Sequence, residues 1–204
     1  MATLKLGVLV SGRGSNLQAI LDAIEDGSLN AKVELVISNK PGAQALQRAE
    51  TAGVDTCVIS HKDFDGREAF DAALADKLLE RGVEWVVLAG FMRVLTPVFI
   101  QRMQGRIINI HPALLPSFPG VNAQQQALDY GVKVTGCTVH LIDAGVDTGP
   151  IIAQRVVEVR DDDDDASLSA RILVQEHDLM VTVLRGIADG SIVPPLGRRR
   201  APQG

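Results

Sequence analysis

Asn109 and His111 stand two residues apart in Ile107-Ile108-Asn109-Ile110-His111-Pro112, an apolar run with an amide and an imidazole set into it. On an extended backbone, residues two apart point to the same side. An imidazole can move a proton near neutral pH, and an amide N–H can hold an oxygen that is gaining charge. Pro112 cannot donate the next ladder hydrogen bond, so the strand must stop beside the pair. In open α/β sheets the carboxyl ends of strands are where ligands bind. Pro112, Pro116 and Pro119 then restrict the loop up to Gly120 and would hold a reactive pair still. Either residue alone could equally be satisfying backbone groups at a strand end, so the rest of the chain must weigh in.

The elements that would position this pair alternate along the chain. Lys5–Val10 is a β-rich run, followed at once by Ser11-Gly12-Arg13-Gly14-Ser15-Asn16 and then by the helical spacing of Leu17–Leu21. Strand, glycine-rich turn and helix together point free backbone N–H groups at an anion. Gly12 and Gly14 would let the backbone approach a ligand, and Ser15 and Asn16 would add side-chain donors or cap the helix. A dinucleotide site would need a third glycine and an acid after the second strand. Leu17 fills the glycine position, and the strand Val33–Ile37 ends in Ser38-Asn39-Lys40 with no acid, so a phosphate fits better than NAD.

Further along, a helix is expected over Ala43–Ala52 and a strand over Asp55–Ile59. Helix-start signals at Asp63-Phe64-Asp65-Gly66 precede a helix over Arg67–Arg81. Arg67 in the first turn opposes the helix dipole, a mild misfit that suits a phosphate grip, or it is an ordinary surface arginine. Trp85–Ala89 reads as a central parallel strand, and the Gly90–Leu95 loop is apolar enough to line a pocket or pack on the core. Gln124–Tyr130 is a short helix, and Val134–Ile142 with Ile151–Val159 makes an antiparallel hairpin. Between those strands Asp147 precedes Gly149-Pro150, either as a functional acid or as a turn aspartate bonding its own backbone. His140 reads as structural, Asp161–Asp165 as a solvated loop and helix start, and Ser167–Ile187 as a long amphipathic helix carrying Glu176 and His177. The fold class is a doubly wound, mostly parallel α/β sheet with an antiparallel C-terminal hairpin and a long C-terminal helix. One domain over 1–189 and a tail over 190–204 are expected.

Bulk composition narrows the function classes. The 204 residues carry a formal net charge of -5, which disfavours general binding to nucleic acid or to a membrane surface. Arg198-Arg199-Arg200 reads as a solvated end. No apolar run approaches the roughly 18 residues of a membrane span, and no leader pattern opens the chain. Cys57 and Cys137 sit in apolar contexts, as buried thiols of a reducing compartment would, so a cytoplasmic location is expected. The two cysteines cannot form a metal-binding pair by spacing alone, and no hydrolase elbow, His-Glu-x-x-His or phosphate-loop lysine is present, so hydrolase, metalloprotease and NTPase readings have little support.

Gly12-Arg13-Gly14-Ser15-Asn16-Leu17, Val87-Leu88-Ala89-Gly90-Phe91-Met92-Arg93, Ile108-Asn109-Ile110-His111-Pro112 and Asp147-Thr148-Gly149-Pro150 occur in that order. Together they resemble the folate-dependent phosphoribosylglycinamide formyltransferases, over nearly the whole chain from Lys5 to about Asp189. Methionyl-tRNA formyltransferases add a C-terminal nucleic-acid-binding domain and formyltetrahydrofolate hydrolases an N-terminal regulatory one, neither of which this chain shows.

The resemblance implies formyl transfer from 10-formyltetrahydrofolate, as co-substrate, to the amine of glycinamide ribonucleotide. It implies a catalytic set of Asn109, His111 and Asp147, with no metal and no covalent intermediate. By the same likeness Gly14, Ser15, Asn16 and Arg67 would grip the phosphate, and Gly90 and Glu176 the rest of the ribonucleotide. Met92, Arg93, Val94 and Leu95 with Ala144, Gly145, Val146 and Asp147 would form the pterin slot, largely through backbone groups. A monomer or homodimer acting on small molecules, without nucleic acid or membrane, is expected. One departure is Val121-Asn122-Ala123-Gln124, where some relatives carry histidines that could tune pH or loop folding. A formyltetrahydrofolate hydrolase and a non-catalytic nucleotide- or folate-binding module are the alternatives.

Overall fold

The computed structural model describes residues 3–194; the Arg198–Arg200 run and the tail beyond 194 lie outside them, and residues 190–194 form no strand. Seven strands make one sheet in the order β3-β2-β1-β4-β5-β6-β7. They are β1 (Leu4–Val10), β2 (Ala31–Ser38), β3 (Thr56–Val58), β4 (Trp85–Leu88), β5 (Ile107–His111), β6 (Val134–Leu141) and β7 (Ile151–Glu158). Strands β1 to β5 pair in parallel, while β6 runs antiparallel to β5 and β7 to β6. The doubly wound sheet and the antiparallel hairpin are therefore as expected.

Alternation along each strand divides the apolar residues between two faces. Leu6, Val8, Val10, Ile108 and Ile110 pack on one side with α1 (Ser15–Glu25) and α6 (Asp165–Asp189). Leu9, Leu35, Ile37, Val86 and Ile107 pack on the other with α3 (Arg67–Glu80) and α4 (Pro97–Arg102). Burial on both faces explains why Trp85–Leu88 is apolar throughout. The remaining helices are α2 (Gln44–Thr51) and α5 (Ala123–Tyr130).

Several local expectations change. Helix α1 begins at Ser15 after Gly14 at φ 74°, with no side-chain cap, so Ser15 and Asn16 do not cap it. A Cβ on Gly14 would sit 2.5 Å from Ala45 Cβ, so this glycine is required by packing against α2 as well as by its positive φ. Helix α3 starts at Arg67 after Gly66, as expected, but Asp63 belongs to a 3-10 turn over His61–Asp63 capped by the Ser60 hydroxyl. Cys57 is only half-buried; Cys137 is buried, which pushes its thiol up to about 12 and leaves it inert.

The aspartate run is not uniformly solvated. Asp164 caps α6 in a reciprocal arrangement with Ser167. The Asp163 side chain is 2% exposed and pairs with Arg171, which holds its carboxyl well below the usual range. No helix among the described residues is long and apolar enough to cross a membrane. Because α6 spans the cleft described below, its start matters. Asp164→Ala should cost about 1 kcal/mol of stability, read as a lower denaturant midpoint at constant slope; an unchanged midpoint would show the cap to be dispensable.

Candidate active site

Strand β5 ends at His111, whose partner across the antiparallel ladder is Thr138; Asn109 lies opposite His140. All four side chains share the face that Ile107 also uses, because positions two apart point the same way. His111 Nε2 lies 2.8 Å from the Phe118 carbonyl oxygen, and its Nδ1 lies 3.3 Å from Asp147 Oδ2. A carbonyl oxygen only accepts, so Nε2 carries a hydrogen. In the neutral ring Nδ1 then turns a lone pair toward a carboxylate. A second proton converts that contact into an ion pair, so ring and carboxylate together form a seat for one proton.

His140 completes the group, although its sequence position read as structural. Its Nδ1 lies 2.9 Å from the Leu141 carbonyl and therefore donates, which leaves Nε2 to accept from Asn109 Nδ2 at 3.2 Å. This orients the Asn109 amide and leaves its second N–H free. Asp147 Oδ1 is 3.6 Å from His140 Nε2, too long for a hydrogen bond but close enough for charge to be felt. Asp147 Oδ2 also accepts from Gly120 N–H at 2.8 Å. Asp147 itself stands at φ 53°, a left-handed conformation that aspartate tolerates better than most residues. The turn that forces it is tight: a Cβ on Gly149 would meet the Leu141 carbonyl oxygen at 1.8 Å.

One buried hydroxyl fixes the loop between these groups. Thr138 donates to the Ala113 carbonyl at 2.7 Å and accepts from Leu115 N–H at 3.1 Å and from Gln154 Nε2 at 3.0 Å. Gln154 also donates to the Leu115 carbonyl. The Pro-rich loop is thus tied to β6 and β7, and it brings Phe118 to His111 and Gly120 to Asp147.

A cleft of about 780 Å³ opens next to this centre, at the carboxyl ends of β1 and β4 and below the first half of α6. This is where the strand order changes direction, the place where open α/β sheets bind ligands. Gly14, Ser15, Asn16, Gly90 and Glu176 line it, as does Met92. Asn16 Nδ2 donates to Glu176 Oε2 at 2.9 Å, and Asn16 Oδ1 is buried without a partner. Burial lifts the Glu176 carboxyl above its usual range, and the Asn16 hydrogen bond works against that. The side chain of Asn16 therefore offers an acceptor, while donors come from the uncapped start of α1.

Ser11 joins the walls: its hydroxyl donates to Asn39 Oδ1 at 2.7 Å and accepts from Met92 N–H at 2.9 Å. A second open groove of about 880 Å³, between α1 and α2, contains none of these residues.

Arg67 lies elsewhere. Its guanidinium donates to the Val94 carbonyl at 2.7 Å, and it is not among the residues lining the cleft. Helix α3 holds the 93–96 segment at three points: Arg67 at Val94, the Phe70 ring under Arg93 at 5.4 Å, and Asp71 accepting from Thr96 N–H at 2.5 Å. Met92 and Val94 are exposed there, while Leu95 is buried. Ala144, Gly145 and Val146 are exposed on the β6–β7 loop, with Gly145 N–H and the Thr148 hydroxyl both donating to Asp143 Oδ1.

Sequence reasoning missed Thr138, His140, Ser11 and Lys40, the last of which also lines the cleft. Thr138 and His140 alternate on one face of β6, and that was visible. Their registry against β5 was not, because the connection between the strands is long and contains α5.

Burial pushes the His111 imidazole below its usual value; the Phe118 carbonyl and Asp147 oppose this, and His140 adds to it. Burial alone would raise the Asp147 carboxyl, but the His140 ring, the Gly120 N–H and the His111 ring together hold it below the ordinary range. Both groups bind protons less readily folded than unfolded. Their stability contribution is full above the unfolded pKa, about 6.5 and 3.9 respectively, and is lost as pH falls through the folded one. The coupling is testable. In NMR titrations His111 should titrate below an ordinary histidine, and lower still in Asp147→Asn, which removes the facing anion. An unmoved or higher value in the variant would show that the two groups do not share a proton.

Residues 4–184 match the formyl transferase family. The chain is 42% identical over 185 residues to phosphoribosylglycinamide formyltransferase of Escherichia coli (strain K12), covering 91% of this chain and 87% of that protein. It is 50% identical over 189 residues to the trifunctional purine biosynthetic protein adenosine-3 of Drosophila melanogaster, but spans only 14% of that protein's length. Among solved structures, glycinamide ribonucleotide transformylase 1 from Symbiobacterium toebii superposes with a TM-score of 0.92 at 46% identity, covering 95% of this chain and 92% of that one. With its sheet, its β5 terminus and its sequence all in agreement, the chain belongs to the formyl transferase family, alongside the phosphoribosylglycinamide formyltransferases.

Proposed function

We propose that the protein transfers the formyl group of 10-formyltetrahydrofolate to the amine of glycinamide ribonucleotide. The observation that carries this reading is the convergence of Asn109, His111 and Asp147 beside a cleft whose floor is an uncapped helix start. The names of the E. coli and S. toebii relatives point to the same acceptor.

The chemistry follows from the groups available. The substrate amine forms a new N–C bond to the formyl carbon, and the carbonyl electron pair moves onto oxygen. The free N–H of Asn109 donates to that oxyanion, and the protonated His111 ring, whose two N–H groups face the Phe118 carbonyl and Asp147, stabilises it by its positive charge, such preorganised electrostatics being worth most where water is excluded. The oxyanion supplies the negative charge that makes a proton on the buried ring favourable at that moment. Asp147, aided by the ring it faces, takes the proton that the attacking amine must lose. Collapse of the intermediate breaks the bond to the folate nitrogen, which leaves with the electron pair and receives a proton in return.

In the cleft, the backbone N–H groups at Ser15 and Asn16 suit the phosphate, a charge favoured at a helix N-terminus. The acceptors Asn16 Oδ1 and Glu176 suit ribose hydroxyls, with Gly90 beside them. The Met92–Leu95 segment and the Ala144–Asp147 loop suit the flat pterin, with Arg67 and Arg93 serving that side.

His111→Ala and Asp147→Asn should each lower turnover by at least roughly 100-fold, as acid–base and electrostatic roles require. Affinity for the phosphorylated substrate should survive both changes, since it depends on the other end of the cleft. Steady-state kinetics with a separate binding titration reads the two effects apart. A near-normal rate in either variant would remove that residue from the mechanism.

A further inference from the structure

We propose that Lys40 is the cation that pairs with the ligand phosphate in the β1–β4 cleft, an assignment that rests on the ribonucleotide reading above. A phosphate monoester carries about −1.5 to −2 charge at neutral pH, whereas a helix N-terminus offers roughly +0.5. The start of α1 therefore leaves about 1 to 1.5 negative charges unbalanced.

The residues at hand do not supply it. Asn16 has its Nδ2 committed to Glu176, and its remaining Oδ1 is an acceptor. Asp165 and Glu176 add carboxylates to the same cleft. Arg67 is engaged with the Val94 carbonyl and does not line the cleft. Two cations line the cleft, Arg13 and Lys40.

Lys40 is the one whose backbone is built into place. The Ser38 hydroxyl accepts from Lys40 N–H at 3.0 Å and donates to the Lys40 carbonyl at 2.8 Å, closing a tight loop at the end of β2. The neighbouring Asn39 accepts from Ser11, whose backbone leads directly into Gly12–Gly14. Ser11, Ser38 and Asn39 are buried, and Lys40 emerges from them exposed. Among the described residues no carboxylate pairs with it. Two buried hydroxyls thus fix the turn that carries a free ammonium on the wall of the anion cleft.

The test is Lys40→Met in the full chain, with Lys40→Arg and Arg13→Met beside it. At saturating 10-formyltetrahydrofolate, Lys40→Met should raise KM for glycinamide ribonucleotide by at least about tenfold, the scale of one charge-assisted hydrogen bond. Its kcat and its KM for the folate should stay within about twofold, and Lys40→Arg should restore most of the loss. With the phosphate-free riboside, wild type and Lys40→Met should be equal.

Calorimetry with ribose 5-phosphate makes the same comparison without formyl transfer. If transfer is absent but Lys40→Met still weakens ribose 5-phosphate, the acceptor reading fails and the phosphate assignment stands. Unchanged KM and unchanged ribose 5-phosphate affinity would overturn the assignment. So would an equal loss with the riboside, or a loss carried by Arg13→Met while Lys40→Met binds normally.

Discussion

The antiparallel pairing of β5 with β6 is the constraint on which the centre depends. It sets Asn109 opposite His140 and His111 opposite Thr138, so one register delivers an amide, two imidazoles and a hydroxyl to one face. A slip of one residue in either strand would turn that strand's two polar side chains to the other side of the sheet, into the apolar layer under α1 and α6. That layer is closed by Ile108 and Ile110, which makes the slip costly. The hydrophobic pattern of β5 thus specifies the polar pattern between its apolar residues.

Burial then gives these groups their character. His111 has only acceptors at its two nitrogens, a setting that favours a second proton, yet it is buried, which disfavours one. In the free protein burial prevails, and the ring is held below its usual pKa. A negative charge arriving next to Asn109 would shift that balance, because Coulomb attraction is strong where solvent is excluded. Asp147 stays ionised through the Gly120 N–H and the rings it faces, despite its own partial burial. The left-handed backbone at Asp147 and the glycine at 149 are the local cost of putting that carboxylate there.

Much of this could be read from the residues alone. The alternating strands and helices, the end of β5 at Pro112 and the glycine turn after β1 each have a local cause, and the parallel sheet followed from them. Within the centre, Asn109 and His111 were legible because strand periodicity is short-range. Asp147 stood out by its turn. His140 and Thr138 were not legible, since their roles arise from a register set across a long connection. Ser11 and Lys40 escaped for a related reason: each lines a cleft assembled from the ends of three strands and the first half of α6. The helix-start cue at Ser15 misled because a left-handed Gly14 caps α1 without a side chain. The aspartate run misled because Arg171, two turns into α6, covers Asp163.

The central claim is that this centre moves a formyl group to an amine held in the neighbouring cleft. The most direct measurement incubates the protein with 10-formyltetrahydrofolate, with and without glycinamide ribonucleotide. Tetrahydrofolate release is followed by absorbance and the nucleotide product by mass. Release that requires the ribonucleotide, matched by one formyl group gained per folate released, is the predicted result. Release at the same rate without the ribonucleotide would mean water is the acceptor, and no release in either case would mean a binding protein; either would contradict the account.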